Sequence, residues 1–157
     1  MSEKTTFFYC RTYHHIALVQ KYCAIIEDAC PEFMGLSSFA EQHDASKLED
    51  PELSPYIDMT WLYKNAKTRY VDLTPEMEQA WKHHYMVNGH HPEHYARLDD
   101  MPDMAIAEMV ADWAAMSEEK GGSLVMWFHK VNQNKYKFNS HQERLINRLI
   151  QVCARGE

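Results

Sequence analysis

The sequence predicts an all-α fold, a single-domain helical bundle of about six or seven helices. Apolar residues recur with a period near 3.6 along the whole chain, and no convincing alternation of apolar and polar residues indicates a strand. Only five glycines interrupt the 157 residues, and no linker rich in Gly, Pro or Ser divides them. A hydrophobic content of 45% suits a single core, so we expect one domain over residues 1–157.

The first half of the chain predicts three helices. The first is expected over about Thr12–Ala29, where apolar residues form a stripe, and "CPEFMG" ends it. A short helix should follow, with Ser37 or Ser38 as its N-cap. The third is expected after a proline, over about Tyr56–Tyr70.

The second half has clearer signals for helix ends. "LTPEMEQAWKHHYMVNG" predicts a helix with Thr74 as N-cap, Pro75 at the first helical position and Asn88-Gly89 as the stop. The next helix should cover about Asp103–Lys120 and end at two glycines.

The C-terminal part, residues 123–155, is predicted to pack on the preceding helices. "SLVMWFHKV" is expected to be helical, and "SHQE" predicts a capping box in which Ser140 and Glu143 open a last amphipathic helix. Its apolar face could pack on the domain's own core or on a partner, so the oligomeric state stays open.

Charge and cysteine content restrict the possible partners. A net charge of −7 argues against double-stranded nucleic acid held on a broad basic surface. The four cysteines include no C-x-x-C pair, which favours reduced thiols over a disulfide framework. Neither a signal peptide nor an apolar run of membrane-spanning length is found, so we expect a cytoplasmic protein without a membrane partner.

Ten histidines, most of them in clusters, are the unusual feature of the composition. His15 shares a helix face with Val19 and Cys23, and His84 lies on an apolar stripe with Met77 and Ala80. His90 and His91 directly follow Asn88-Gly89, the predicted stop of the helix that carries His84. An isolated inward histidine is most often a core residue bonded to a carbonyl, so these positions require a second line of evidence.

Asp112 supplies that evidence, because it lies in an apolar stripe between Met109 and Met116. Burying an unpaired carboxylate costs several kcal/mol, so Asp112 must be paired with a cation, protonated or bound to a metal. "HDASK" places His43 and Asp44 side by side. One cation could satisfy several of these histidines and acids together, and a donor set without thiolate suits Mn, Fe, Co, Ni or Zn.

The order of these residues resembles the HD-domain superfamily of metal-dependent phosphohydrolases. "HIALV" (15–19) is similar to the first histidine helix of that family, and "HDASK" (43–47) resembles its eponymous motif. "HYMVNGHHPEHY" (84–95) and "EMVADW" (108–113) resemble the remaining ligand segments of a small branch found in bacteria and phages. The resemblance covers about residues 12–116 and leaves the C-terminal helices outside.

The resemblance implies a centre of one or two divalent transition-metal ions. The first ion would be held by His15, His43, Asp44 and Asp112. The second would share Asp44 as a bridge, with His84 and either His91 or His90. His91 is favoured as the ligand, and His90 could instead contact a third ion or the substrate.

The activity implied is hydrolysis of a small phosphorylated substrate, such as a nucleotide, by a metal-activated water. Asp44, Lys47 and Glu108 are the candidate catalytic residues: Lys47 could neutralise a phosphoryl oxygen, and Glu108 could orient a ligand histidine or the water. Arg69, Lys82 and Arg97 are candidate anion contacts from their chemistry alone.

Two other functions fit the same residues. Some HD-superfamily proteins with a lysine after the HD pair and two further histidines are non-haem diiron oxygenases, and this ligand set is similar to theirs. A metal-stabilised binding domain without turnover is the third hypothesis, because many aromatic side chains could frame a ligand pocket.

Overall fold

A computed structural model describes residues 1–68, 71–129 and 135–155, and within these ranges the regular secondary structure is helical, without strands. The all-α prediction is therefore confirmed. The described ranges contain seven α-helices: α1 (Glu3–Ala29), α2 (Leu36–Phe39), α3 (Leu53–Asn65), α4 (Pro75–Val87), α5 (Asp103–Glu119), α6 (Leu124–Trp127) and α7 (Ser140–Arg155).

Helix α1 begins at Glu3 rather than near Thr12, so the predicted start was wrong. Ser2 is the N-cap, and its hydroxyl oxygen accepts a hydrogen bond from the Thr5 amide at 3.2 Å. Phe8 extends the buried stripe towards the N-terminus and is 1% exposed. The predicted end is confirmed, since the helix ends at Ala29.

Helices α2 and α3 start earlier than predicted. Gly35 precedes α2 with a φ of 92°, and neither Ser37 nor Ser38 is the N-cap. The amides of Gly35 and Ser37 instead donate to the Glu27 carboxylate at 2.8 and 3.0 Å. α3 spans Leu53–Asn65, so it also ends earlier than the predicted Tyr70. Its start precedes the proline because a proline is tolerated in the first turn, where its missing N–H has no partner to lose. Arg69 and Tyr70 lie outside the described residues.

Helices α4 and α5 match their predictions. The Thr74 hydroxyl accepts from the Met77 amide at 3.3 Å, and α4 ends with Asn88 as its C-cap. α5 ends at Glu119, and Gly121 follows with a φ of 62°, a left-handed conformation that favours glycine.

The predicted capping box of α7 is displaced by one residue. Asn139, rather than Ser140, caps the helix, since its side-chain oxygen accepts from the Gln142 amide at 3.0 Å. Gln142 returns the interaction, accepting from the Asn139 amide at 3.1 Å, which is the reciprocal geometry of a capping box. The "SLVMWFHKV" segment forms α6 over Leu124–Trp127, and its last two residues lie outside the described ranges.

Helix α5 is the centre of the protein and is buried on nearly every side. α1 packs on one side of it and α7 on another, so the last helix packs within the chain. A smaller apolar cluster joins α1 to α3 and α4 and includes Phe8, Tyr56 and Met59. None of the helices in the described ranges has the length and apolar character needed to cross a bilayer.

Candidate metal centre

The His43-Asp44 pair lies in the turn between two short 3₁₀ segments, Ala40–Gln42 and Ala45–Leu48. Both side chains are buried, each 2% exposed. Asp44 has a φ of 58° and is the non-glycine residue with positive φ among those described. This left-handed conformation is unfavourable for most side chains and tolerated by Asp, and such backbone is found preferentially at functional sites.

A first group of potential ligands consists of His15 from α1, Asp112 from α5 and His43. Nε2 of His15 lies 3.0 Å from Oδ1 of Asp112, and Nε2 of His43 lies 3.9 Å from the same oxygen. All three atoms are close enough for one ion to contact them. α1 and α5 therefore bring together residues that are far apart in the sequence.

A second group consists of Asp44, His84 from the end of α4, and His90 and His91 after it. Nε2 of His84 lies 3.2 Å from Oδ1 of Asp44 and 3.0 Å from Nε2 of His91. Nε2 of His90 lies 3.7 Å from Oδ1 of Asp44. The structure thus places both His90 and His91 in the group, where the sequence left a choice between them.

Asp44 lies between the two groups, and each of its carboxylate oxygens faces a different group. Oδ1 faces His84 and His90 of the second group, whereas Oδ2 lies 3.8 Å from Nε2 of both His15 and His43. This position is the one that the resemblance implied for a bridging carboxylate.

Buried glutamates contact the opposite nitrogen of several of these imidazoles. Glu108 Oε1 lies 2.9 Å from Nδ1 of His43 and 3.5 Å from Nδ1 of His90, and Glu52 Oε2 lies 3.0 Å from Nδ1 of His84. Such contacts orient ligand histidines in metalloproteins and fix their tautomers. His43, His90 and Glu108 also form a close group of their own, in which Oε1 of Glu108 accepts a hydrogen bond from Nδ1 of His43 at 2.9 Å.

Glu52 and Glu119 are site residues that the sequence interpretation missed. Glu119 Oε2 lies 3.6 Å from Nδ1 of His15, and its spacing from Glu108 and Asp112 on one helix face was an available signal. Glu52 lies in the turn before α3, where no periodicity indicates its direction, yet it is 0% exposed.

Some buried polar atoms of the two groups lack hydrogen-bond partners within the described ranges. They include Nε2 of His43 and Oδ1 of Asp44, whose 3.2 Å contact with His84 lies outside hydrogen-bonding geometry. Buried polar atoms are normally satisfied, and each of these two belongs to a group of potential ligands, where a bound cation would satisfy it. These residues fit a metal ion.

The charges of the site favour the same conclusion. Five carboxylates converge here, and apart from histidine the cations that contact them in the described ranges are Lys47 and Arg11. The carboxylates are those of Asp44, Glu52, Glu108, Asp112 and Glu119. Divalent cations would balance the remaining negative charge.

The pKa shifts in the metal-free chain favour metal binding at Asp44 and His91 and oppose it at His15. Burial opposes ionisation of Asp44, but Lys47 and His43 hold the pKa of its carboxyl well below its usual range. Burial and the neighbouring His90 lower the pKa of His91 to about 2, which leaves this imidazole neutral. Burial also lowers the pKa of His15, but Asp112 and Glu119 outweigh it and raise that pKa to about 9.

Two adjoining cavities of about 480 and 510 Å³ open onto the two groups. His15, Asp44 and Lys47 line both, and the larger one also reaches His84, His90, His91 and Asp112. The Lys47 ammonium is 2.5 Å from Oδ2 of Asp44, at the floor of the cavities. The walls of the larger cavity are largely aromatic, with rings from Tyr56, Tyr63, Trp81, Tyr85, Trp113, Trp127 and Tyr136.

Of the cations proposed from the sequence, Lys47 lines both cavities and the other described ones do not. Lys82 and Arg97 line neither cavity, and Arg97 lies 3.8 Å from the exposed Asp99. Arg69 is outside the described residues. Arg11 and Lys120 line both cavities, because the rotation of α1 and the end of α5 direct them there.

No curated protein and no solved structure matches this chain. A family model does match, over residues 4–153, which include every potential metal ligand described above. The chain belongs to the family of unknown function DUF5662.

Proposed function

We propose that the protein is a dinuclear metal-dependent phosphohydrolase that acts on a small phosphorylated substrate. The observation that carries this proposal is the position of Asp44. Its two carboxylate oxygens face two separate histidine groups at the floor of an open cavity. A bridging carboxylate between two ions is the usual core of dinuclear hydrolytic sites.

Bound divalent ions would polarise the phosphoryl group and lower the pKa of a water that attacks phosphorus. The chain's own residues supply the remaining functions. Lys47 is positioned to neutralise a phosphoryl oxygen beside Asp44, and Glu108 holds His43 with Nε2 directed at the first group. As the water oxygen bonds to phosphorus, the ester P–O bond breaks, and the proton that the water loses is returned to the leaving oxygen.

The cavity supports a substrate of modest size. About 510 Å³ accommodates a metabolite-sized molecule and excludes a folded nucleic acid. Arg11 and Lys120 supply positive charge near the opening, and the aromatic walls could contact an organic group such as a nucleobase. Nucleoside phosphates are therefore the first compounds to test.

The test begins with metal analysis of the purified protein, followed by a phosphate-release screen. Nucleoside mono- and triphosphates and simple phosphate esters are assayed with Mn²⁺, Co²⁺ and Mg²⁺. We expect turnover of at least one compound in the wild type, and loss of both metal and turnover in Asp44→Ala. Stoichiometric metal in Asp44→Ala would contradict the ligand assignment, and silence across the panel would contradict hydrolysis.

A second candidate is an oxygenase with a non-haem diiron centre. The observation in its favour is the imidazole-rich second group, with three histidines and no thiolate, since such donors also suit Fe²⁺. Iron in the purified protein, with a colour change that requires O₂, would favour this function. If phosphate is released under anaerobic conditions, oxygenase chemistry cannot account for that release.

A further inference from the structure

Glu52 is a buried carboxylate for which the proposed reaction has no direct role. Its side chain is 0% exposed, and it lies before α3 rather than among the residues facing the cavities. Burying a charged carboxylate is unfavourable unless hydrogen bonds compensate, so its partners indicate why it is there. They are Nδ1 of His83 at 2.7 Å, Nδ1 of His84 at 3.0 Å and the hydroxyl of Ser46 at 3.0 Å.

The contact with Glu52 determines how the His84 ring is presented. A carboxylate accepts hydrogen bonds, so Nδ1 of His84 carries the proton, and Nε2 keeps a lone pair on the opposite edge of the ring. That Nε2 faces Asp44 and His91. Asn88 supports the arrangement, donating from Nδ2 to the Ser46 hydroxyl and to the His84 carbonyl, both at 2.8 Å.

The glutamates around the centre differ in which group they serve. Glu119 contacts His15 of the first group, and Glu108 contacts both His43 and His90 and so touches both groups. Within the described residues, Glu52 contacts a histidine of the second group and no residue of the first. The second group therefore has a supporting carboxylate of its own.

We infer that Glu52 is a positioning residue that determines whether the centre holds a second metal ion. This inference rests on the dinuclear centre of the proposed function and deepens it. It is tested by metal binding without substrate, so a failure to find phosphate release leaves it standing.

The experiment is a calorimetric titration of Zn²⁺ into the chelator-treated 157-residue chain. We expect two bound Zn²⁺ ions in the wild type. In Glu52→Gln a donor NH₂ group replaces one of the two carboxylate oxygens that contact His83 and His84, and the negative charge is lost. We expect one ion bound with wild-type affinity and the other weakened by about 10- to 100-fold, the usual loss on removing such a partner.

Glu119→Gln is the matched control, because it makes the same change beside His15. Histidine ¹⁵N NMR during the titration shows which group is filled. His15 and His43 signals should still respond at low Zn²⁺ in Glu52→Gln, whereas Glu119→Gln should leave the His84 response unchanged. Equal losses at both groups in Glu52→Gln, or two ions with unchanged affinities, would overturn the inference.

A measurement on the unmodified chain covers the case in which Glu52→Gln fails to fold. NMR of the Zn²⁺-loaded wild type reports the tautomer of each histidine. We expect His84 to carry its proton on Nδ1. A proton on Nε2 instead, or a wild type that binds fewer than two Zn²⁺ ions, would also overturn the inference.

Discussion

The Nε2 atoms of His84 and His91 lie 3.0 Å apart. Two nitrogens bound to one ion at about 2.0–2.1 Å are about 2.8–3.4 Å apart for bond angles between octahedral and tetrahedral values. The two rings are therefore already spaced as neighbouring ligands. Without an ion, two imidazole nitrogens this close need one proton between them, because two lone pairs or two N–H groups would repel each other.

His91→Ala should weaken binding of the second ion and leave the first unchanged. Removing one ligand nitrogen from the second group should reduce its Zn²⁺ affinity by more than about tenfold. His94→Ala is the matched control, since His94 is exposed and bonds to the Met86 carbonyl outside both groups. Calorimetry measures both variants, and equal affinities in His91→Ala and wild type would contradict its assignment as a ligand.

Metal removal should destabilise the folded protein. A ligand that binds only the native state adds about 2.7 kcal/mol per site at a free concentration one hundred times its Kd. We therefore expect a chelator to lower the Tm of the wild type. Asp44→Ala should show little dependence of Tm on added Zn²⁺, and a chelator-insensitive wild type would count against a metal centre.

Metal uptake should release protons. Burial lowers the pKa of His15, but Asp112 and Glu119 outweigh that effect and raise it to about 9 in the metal-free chain. Because a ligand imidazole must be neutral, binding at about pH 7.5 displaces this proton, and apparent affinity should rise with pH up to about 9.

Proton release is measured by titrating Zn²⁺ in two buffers with different ionisation enthalpies. The observed binding enthalpies should differ for the wild type and for His141→Gln, whose histidine is exposed and pairs with Asp103. The difference should be smaller in His15→Gln. Identical enthalpies in both buffers for the wild type would contradict a protonated His15.

Asn139→Ala should destabilise the protein by about 0.5–2 kcal/mol, because it removes the cap of α7. Ser140→Ala should change the free energy of unfolding by less than about 0.5 kcal/mol, since Ser140 is the first helical residue and not the cap. Denaturant unfolding measures both. A larger loss of unfolding free energy from Ser140→Ala than from Asn139→Ala would support Ser140 as the cap, as the sequence predicted.

Leu149→Ala should cost about 2–5 kcal/mol of unfolding free energy, because Leu149 is 0% exposed between α7 and the rest of the core. Gln151→Ala, on the exposed face of the same helix, should change stability by less than about 0.5 kcal/mol. A small effect of Leu149→Ala on the isolated chain would indicate that the helix packs elsewhere.

The features predicted best from the sequence are those with local causes. Thr74, Pro75 and the Asn88-Gly89 stop determine the ends of α4 by capping and by backbone preference, which act within a few residues. The start of α1 was missed, because the burial of Phe8 depends on its packing with α3 and α4. Helix starts without a side-chain cap, such as that of α2 after Gly35, offered only a weak signal.

Residues of the candidate site could be predicted where helical periodicity indicates which way a side chain points. His15, His84 and Asp112 lie on helices, so their inward orientation followed from their neighbours on the same face. Glu52 was not predictable in this way, because its burial depends on the path of the turn before α3. The same limit applies to the basic side chains in the cavity walls. Charge alone suggested Lys82, but the rotation of each helix decides which side chains face the cavities, and Arg11 does so instead.

The contact between His15 and Asp112 joins the first long helix to the central one. An ion held there would act as a reversible cross-link that closes most of the chain into a loop, with α2, α3 and α4 inside it. Because the two residues meet only in the folded chain, an ion held there would stabilise the folded state against separation of the two helices. The availability of metal in the cell would then affect how long the folded chain persists.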